Sequence, residues 1–514
     1  MSGASRQQRV VVVGAGVGGL ACALQLAQAG YGVTVVERAS VVGGKLRVAE
    51  VGGVAIDAGP TVLTMRWVFD ELFALAGRDL DAYVPLTRVD VLARHAWPDG
   101  SRLDLFADRD RSAAAIAEMC GRAEAQRFLA FCTYTQRIFE AVEGPFLRSQ
   151  RPTFGSLMKH AARIGMGAVT AIDAHRTMWS ALQTHFRDPR LLQLFGRYAT
   201  YVGSSPFEAP ATLNLIAHVE SRGVNRVRGG MRALGSGLER LARELGVAFR
   251  FDAHVSKILV HAERAAGVEL ENGETIEADA VVCNADVSAI ATGLLGAPVA
   301  RVAKATDRKS RSFSAVTWAV RGHSNDFPLL HHNVFFSSDY RAELAELTRQ
   351  QRCPTHPTVY VCAQDRNDEA ALHYDERFLL VVNAPATGDD AAAWSREERE
   401  RCEENAFSSM ARCGLTLTKH ESIQTTPADF HRAFPATGGA LYGPTANGSL
   451  STLARSGART KLAHLYLAGG SVHPGPGLPM AALSGRRAAE SVHEDLGSTA
   501  RSKPAAISGT ISTV

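Results

Sequence analysis

Gly14, Gly16 and Gly19 stand at G-x-G-x-x-G spacing directly after Val10-Val11-Val12-Val13, and Glu37 closes a second apolar run, Val33-Thr34-Val35-Val36. These residue types in this order could bind a dinucleotide. Gly14 permits a sharp turn, Gly16 lets the backbone approach a pyrophosphate, and Gly19 lets the following helix lie close to its strand. The phosphates would sit at the helix N-terminus, where free N–H groups and the helix dipole favour an anion. Glu37 stands where a carboxylate can accept the hydroxyls of an adenosine ribose.

Further residues of the same kind follow. Gly43-Gly44-Lys45-Leu46-Arg47 places paired glycines and two cations just after Glu37. Paired glycines bring main-chain N–H groups close to phosphate oxygens, and Lys45 or Arg47 can neutralise the remaining charge. Asp57-Ala58-Gly59-Pro60-Thr61 ends a hairpin that turns at Gly52-Gly53, a strand end able to return Gly59 and Thr61 toward a ligand. Near the C-terminus, Leu465-Tyr466-Leu467 runs into Gly469-Gly470-Ser471-Val472-His473-Pro474-Gly475-Pro476-Gly477-Leu478-Pro479-Met480 and then a small-residue helix from Ala481 to about Val492. This is a second strand reaching glycines and a helix N-terminus.

The elements that must position these residues belong to an α/β protein. At 514 residues the chain exceeds one core, and two or three domains are expected. Hydrophobic content of 46% with 21% charged residues is that of a globular protein, and a net charge of +4 does not suggest a nucleic-acid binder. The eight cysteines are scattered without a C-x-x-C pair, which predicts reduced thiols in the cytoplasm. The uncharged run from Val10 to Val36 is interrupted by six glycines and two glutamines, so it reads as strand, helix and strand rather than a leader or anchor. No other uncharged run approaches the ~18 apolar residues that a bilayer span needs.

From about Thr64 to Val219 the pattern is mostly helical. Between Arg148 and Arg197 eight cations (Arg148, Arg151, Lys159, Arg163, Arg176, Arg187, Arg190, Arg197) oppose only Asp173 and Asp188, interleaved with apolar residues such as Phe154, Leu157, Met158, Met166 and Trp179. Such a surface suits the interface of an anionic membrane, and equally a solvated helix face. A helix is expected over Ala233–Leu245. Short strands follow at Ala248–Phe251, Val255–Val260, Gly267–Leu270 and Ala280–Val282, with a turn at Asn272-Gly273, and should complete the first sheet with Val255 near the adenine side. A second mixed region carries strands at Ala315–Arg321, Val359–Ala363 and Leu379–Asn383. His331-His332 is read as structural, because adjacent strand residues point apart and no Cys or carboxylate stands at ligand spacing, so no metal is expected.

These motifs resemble the flavin-dependent carotenoid desaturases, the bacterial phytoene desaturase family of amine-oxidase-like flavoproteins. The resemblance spans Arg9 to Val492 and is most specific where Gly14–Glu37 pairs with Gly43-Gly44 and in the His473-Pro474-Gly475-x-Gly477-x-Pro479 run. Thr437-Gly438-Gly439-Ala440-Leu441-Tyr442-Gly443 and Gly469–Pro474 are similar to the 1-hydroxycarotenoid 3,4-desaturase branch, and Met480 departs from the small residue usual in phytoene desaturases. The resemblance implies FAD, held through Gly14, Gly16, Gly19, Glu37, Gly44, Lys45, Leu46 and Arg47, with contacts from Pro60, Thr61, Val255, Gly470, Pro479 and Met480. It implies a Rossmann-like FAD-binding domain built from residues 1–85, 222–290 and 445–497, interleaved with a mixed α+β substrate-binding and membrane-associating region of residues 86–221 and 291–444, and a disordered tail at 498–514. It implies desaturation of the C3,4 bond of an acyclic 1-hydroxy- or 1-methoxycarotenoid on the cytoplasmic side of a membrane. A phytoene desaturase, a flavin-dependent carotenoid isomerase, an amine oxidase and a lipid-binding escort protein are the alternatives. No proton-accepting residue stands out; His473, among Pro and Gly, reads as a loop-shaping residue.

Overall fold

The computed structural model describes residues 6–150, 155, 172–325, 327–366, 375–448 and 451–501. Its organising unit is β1 (Arg9–Val13), α1 (Val17–Gln28) and β2 (Gly32–Val36). Gly14 turns the chain at φ +98°, and α1 has Gly16 at its N-cap with no side-chain cap, which leaves its first N–H groups for a ligand. β1 is central in a five-stranded parallel sheet, flanked by β2 and Ala248–Arg250 on one side and by Ala280–Cys283 and Leu465–Leu467 on the other. Distant pieces of chain therefore complete this sheet. Val10, Val12, Val33 and Val35 face α1, the helix Arg232–Glu244 and the C-terminal helix Leu478–Arg501, whereas Val11, Val13 and Val36 face the opposite layer.

That opposite layer corrects one expectation. Val255–His261, Arg264–Leu270 and Thr275–Glu277 do not join the first sheet but form a three-stranded antiparallel sheet across its face. Two tight turns return the chain at once, one at Ala262-Glu263 with φ of +47° and +59° and one at Asn272-Gly273, so each strand meets its sequence neighbour first.

The second region is built on a seven-stranded sheet ordered Leu417–Thr425, Ser314–Ser324, Glu376–Ala384, Val359–Ala363, His332–Phe335, Val91–Ala96, Arg102–Phe106. The last two strands lie in a stretch expected to be mostly helical. Their apolar alternation is short and broken by Arg94 and Asp104, which pair across the hairpin at 2.7 Å. Helices Arg109–Cys120, Arg122–Val142, Met178–His185 and Pro189–Gly196 pack beside this sheet around Phe128, Phe131, Phe186 and Phe195.

The C-terminal helix extends beyond Val492 to Arg501, so residues 498–501 are helical where a disordered tail was expected; 502–514 lie outside the described residues. Small residues let it lie against α1, since a Cβ on Gly485 would stand 2.0 Å from the Gly18 carbonyl oxygen. All eight cysteines are free. No helix among the described residues is long and apolar enough to cross a membrane. Of the basic stretch, Arg151, Lys159, Arg163 and most of the interleaved apolar residues lie outside the described residues. Arg148 pairs with Glu71 and Glu143, Arg176 with Asp173 and Arg190 with Asp188, so these cations are balanced within the fold.

Candidate active site

The strand ends of the five-stranded sheet open into a cavity of about 1170 Å³ that runs on to the face of the seven-stranded sheet. Gly14, Gly16, Glu37, Gly44, Lys45, Leu46, Arg47, Pro60, Thr61, Val255, Gly470, Pro479 and Met480 all line it. Gly19 is the exception. It sits behind the loop, where a Cβ would stand 2.1 Å from the Gly14 carbonyl oxygen, so its contribution is close packing of α1 on β1.

Glu37, 9% exposed, ends β2 with one oxygen accepting the Ala15 N–H (2.7 Å) and the other the Ala39 N–H (2.9 Å). These bonds fix the carboxylate and leave one lone pair on each oxygen for a ligand hydroxyl. The Gly43-Gly44 loop folds back onto Gly16, to which Gly43 bridges, and a Cβ on Gly44 would lie 3.2 Å from the Gly16 Cα. Arg47 lies against the Phe430 ring, and its Nη1 is buried with no partner in the described fold, while Lys45 donates to the Leu441 carbonyl. Burial holds the Lys45 ammonium below its ordinary value, opposed by Asp286.

Pro60 and Thr61 are positioned from behind. Asp57 accepts the Met231 N–H (2.6 Å), and Gln364 brackets the Asp57 backbone at 2.8 and 3.1 Å. At the other end, Arg455 gathers the carbonyls of Tyr442, Pro444 and Gly470 (2.7–3.3 Å), which ties the glycine-rich C-terminal turn together. His473 precedes a cis Pro474 and donates from Nε2 to the Phe146 carbonyl (2.9 Å), which agrees with a loop-shaping role.

Sequence reasoning missed Asn284. It follows the strand Ala280–Cys283 and packs into the glycine cluster: a Cβ on Gly16, Gly18 or Gly469 would approach its side chain to 2.6–2.9 Å. The only signal was a buried strand ending in the polar Cys-Asn-Ala-Asp turn. Also missed was a polar wall of the cavity, made by the part-buried Arg197, Tyr201 and Tyr360 and the buried Glu220. Glu220 accepts from Tyr198 and Tyr201, and burial raises its carboxyl above the usual range.

The reading of His331-His332 needs correction in its reasoning. The strand Val359–Ala363 places Cys362 opposite His332, so two imidazoles and a thiol bring potential ligand atoms within 4.8 Å of one another. His331 Nδ1 meets the Arg366 carbonyl (3.2 Å) and its Nε2 the Cys362 thiol (3.6 Å), while His332 Nδ1 meets Tyr360 Oη (2.7 Å). Burial pushes the Cys362 thiol up to about 12 and His331 down to about 4, which keeps both neutral.

The cleared glycine loops, the fixed Glu37 carboxylate and the unpartnered Arg47 nitrogen fit a flavin dinucleotide laid across the strand ends, the place where open α/β sheets bind ligands. Residues 17–493 match the model of the flavin-containing amine oxidoreductase family. The chain is 50% identical to a hydroxyneurosporene desaturase of Rubrivivax gelatinosus over 99% of its own length and 97% of the relative's. It is 41% identical to a hydroxyneurosporene desaturase of Cereibacter sphaeroides, over 96% and 99% of the two chains. Among solved structures, an oxidoreductase from Methanosarcina mazei shares the fold with a TM-score of 0.57 at 18% identity, covering 95% of this chain and 100% of that one. The chain therefore belongs to the flavin-containing amine oxidoreductases and, within them, to the carotenoid desaturases, as an FAD-dependent oxidoreductase.

Proposed function

We propose that the protein introduces the C3,4 double bond into an acyclic 1-hydroxy- or 1-methoxycarotenoid such as hydroxyneurosporene. The observation that carries this reading is one continuous cavity joining the dinucleotide loops to a largely apolar chamber. Its 1170 Å³ exceeds the ~300–1,000 Å³ common for a single small ligand, which leaves room for substrate beside the cofactor. The full-length likeness to two proteins named hydroxyneurosporene desaturase supports it.

In this reading Gly14, Gly16, Glu37, Gly44, Lys45, Leu46, Arg47, Pro60, Thr61, Val255, Gly470, Pro479 and Met480 hold FAD, with Gly19 setting the loop. Bound FAD would supply the acceptor for a hydride, the two electrons and one hydrogen that an unactivated C–H bond cannot lose to a side chain, and the second hydrogen would leave as a proton to a base or water. The apolar wall, including Phe139, Phe146, Leu213 and Ile216, excludes water and orients the polyene so that one bond is presented. The enzyme would meet its substrate at the cytoplasmic side of an anionic membrane through peripheral contact around residues 148–197. Flotation with anionic liposomes that weakens as salt rises supports that contact, and absence of flotation at any salt overturns it.

The deciding experiment incubates FAD-loaded protein separately with hydroxyneurosporene, lycopene and phytoene. A longer-wavelength product from hydroxyneurosporene, with stoichiometric consumption of an electron acceptor, is expected. Conversion of phytoene alone would make it a phytoene desaturase, and isomerised product without acceptor consumption would make it an isomerase.

A further inference from the structure

The polar wall of the cavity is not needed to hold a dinucleotide. Arg197, Tyr201, Glu220 and Tyr360 line the main cavity and also a water-sized annex of about 10 Å³, which His332 helps to close. Tyr201 donates to Glu220 (3.0 Å), and Arg197 donates through Nη1 to Tyr201 (3.4 Å). Tyr360 Oη is bonded at 2.7 Å to both Thr61 Oγ1 and His332 Nδ1.

Two observations point to a ligand. The Arg197 guanidinium has that single side-chain hydrogen bond and no carboxylate within ion-pair distance among the described residues, although it stacks over the Tyr201 and Tyr360 rings at 5.2 and 5.8 Å. His332 is 3% exposed, and its Nε2 has no partner among the described residues. A hydrocarbon chamber gains nothing from a part-buried guanidinium and a buried carboxylate, whose desolvation is costly unless each is hydrogen-bonded. A tertiary alcohol would complete the set, because one hydroxyl both accepts and donates.

The position also fits. Thr61, bonded to Tyr360, adjoins Pro60, and both line the cavity among the residues proposed to hold FAD, so an oxygen held at this wall is within reach of that set. In a 1-hydroxycarotenoid the oxygen-bearing carbon is two carbons from C3. We propose that Arg197, with Glu220 and Tyr360, binds the C1 oxygen of the substrate and thereby sets which bond is presented for oxidation: the oxygen accepts from Arg197, and the hydrogen of a 1-hydroxyl group is donated to Glu220 or Tyr360. This inference rests on the carotenoid desaturase reading above.

The test compares hydroxyneurosporene with neurosporene, which lacks the hydroxyl, by binding (quenching of tryptophan fluorescence) and by kcat/KM, in the FAD-loaded wild type and in Arg197→Gln, Glu220→Gln and Tyr360→Phe. A site built to hydrogen-bond a hydroxyl rejects the analogue lacking it strongly, so a wild-type preference of about 10²-fold or more is expected. Arg197→Gln should cut that preference at least tenfold through KM and Kd, and Tyr360→Phe, nearly isosteric, should cut it several-fold at unchanged melting temperature. Equal handling of the two carotenoids by the wild type, or an unchanged preference in well-folded Glu220→Gln and Tyr360→Phe, overturns the subsite while leaving the desaturase reading intact. Absence of turnover with every carotenoid overturns the desaturase reading instead, and the binding ratio still decides the subsite.

Discussion

The two large sheets spend their buried surface differently. The five-stranded parallel sheet is apolar through its central strands: Val10, Val11, Val12, Val35, Val281 and Val282 are at most 1% exposed, and the polar groups it offers the cavity, Glu37 and Asn284, come where strands end, while Thr34 and Tyr466 within its strands do not line the cavity. The seven-stranded sheet carries His95, His332, Tyr360 and Cys362 on its strands, and buries the Arg366–Glu376 ion pair (3.0 Å) at one strand's start. A parallel sheet offers its ligand the loops and helix termini beyond the strands, whereas the mixed sheet offers side chains from its face. The first arrangement can hold a generic cofactor, and the second can be altered residue by residue to suit a substrate.

The sharpest way to break this comparison is at Gly19. Gly19→Ala sets a methyl group 2.1 Å from the Gly14 carbonyl oxygen, so either the loop or α1 must move. Loss of FAD affinity of about 100-fold or more is expected by flavin titration, with a stability loss of about 3 kcal/mol from overpacking. A variant that keeps its flavin would show that the loop does not depend on close packing. Next in size, Glu37→Gln retains the side-chain volume but weakens acceptance from Ala15 and Ala39. Charge-assisted bonds of this kind contribute about 1.5–3 kcal/mol, so a 10- to 100-fold loss of FAD affinity is expected, with kcat at saturating FAD little changed.

The seven-stranded half should differ in its response to acid. Burial, with Arg197 adding repulsion, holds His95 down to about 3, and burial with Arg226 holds His331 down to about 4. A histidine whose folded pKa lies below its unfolded value adds stability that is present above about pH 6.5 and is lost as pH falls toward the folded value. Denaturation midpoints of the apoprotein should therefore fall between pH 6.5 and 4, with a slope of up to about 1.4 kcal/mol per pH unit for each histidine that takes up a proton on unfolding. His95→Phe, packed against the stacked Phe336 and Trp97 rings, should flatten that slope even though it gives up the bond to the Leu103 carbonyl (3.1 Å). An unchanged slope would place the acid-sensitive groups elsewhere.

The same contrast explains what could be read from the sequence. β1, its glycines, α1, β2 and Glu37 lie within thirty residues, and each carries its own local signal, so the dinucleotide half was legible, and thirteen of the fourteen residues expected at the cofactor line the cavity. The polar wall was not. Arg197, Glu220 and Tyr360 lie on separate segments, and nothing within any one of them announces the others. Arg197 was read as one more surface cation, although it lines the cavity, part-buried, against the Tyr201 and Tyr360 rings. Cys362 meets His332 only through strand pairing, a register that no single-sequence spacing reveals. Val91–Ala96 and Arg102–Phe106 were passed over because their charged pair, Arg94 and Asp104, interrupts the apolar alternation that marks a strand.

That pair gives the smallest test, because each half has an ion pair at its margin. Arg94 and Asp104 meet through two parallel bonds of 2.7 and 2.8 Å with side chains 19% and 22% exposed, whereas Arg9 and Glu277 meet at 3.3 Å with 46% and 78% exposed. Solvent screens an exposed pair until little net gain remains, and two-point geometry in partial burial retains more. Asp104→Asn should therefore cost about 1 kcal/mol and depend weakly on salt, and Glu277→Gln should stay within about 0.5 kcal/mol. If urea denaturation gave equal costs, the seven-stranded sheet would not rely on polar side chains of its own strands more than the parallel sheet does, and the contrast between the halves would then rest on their buried groups alone.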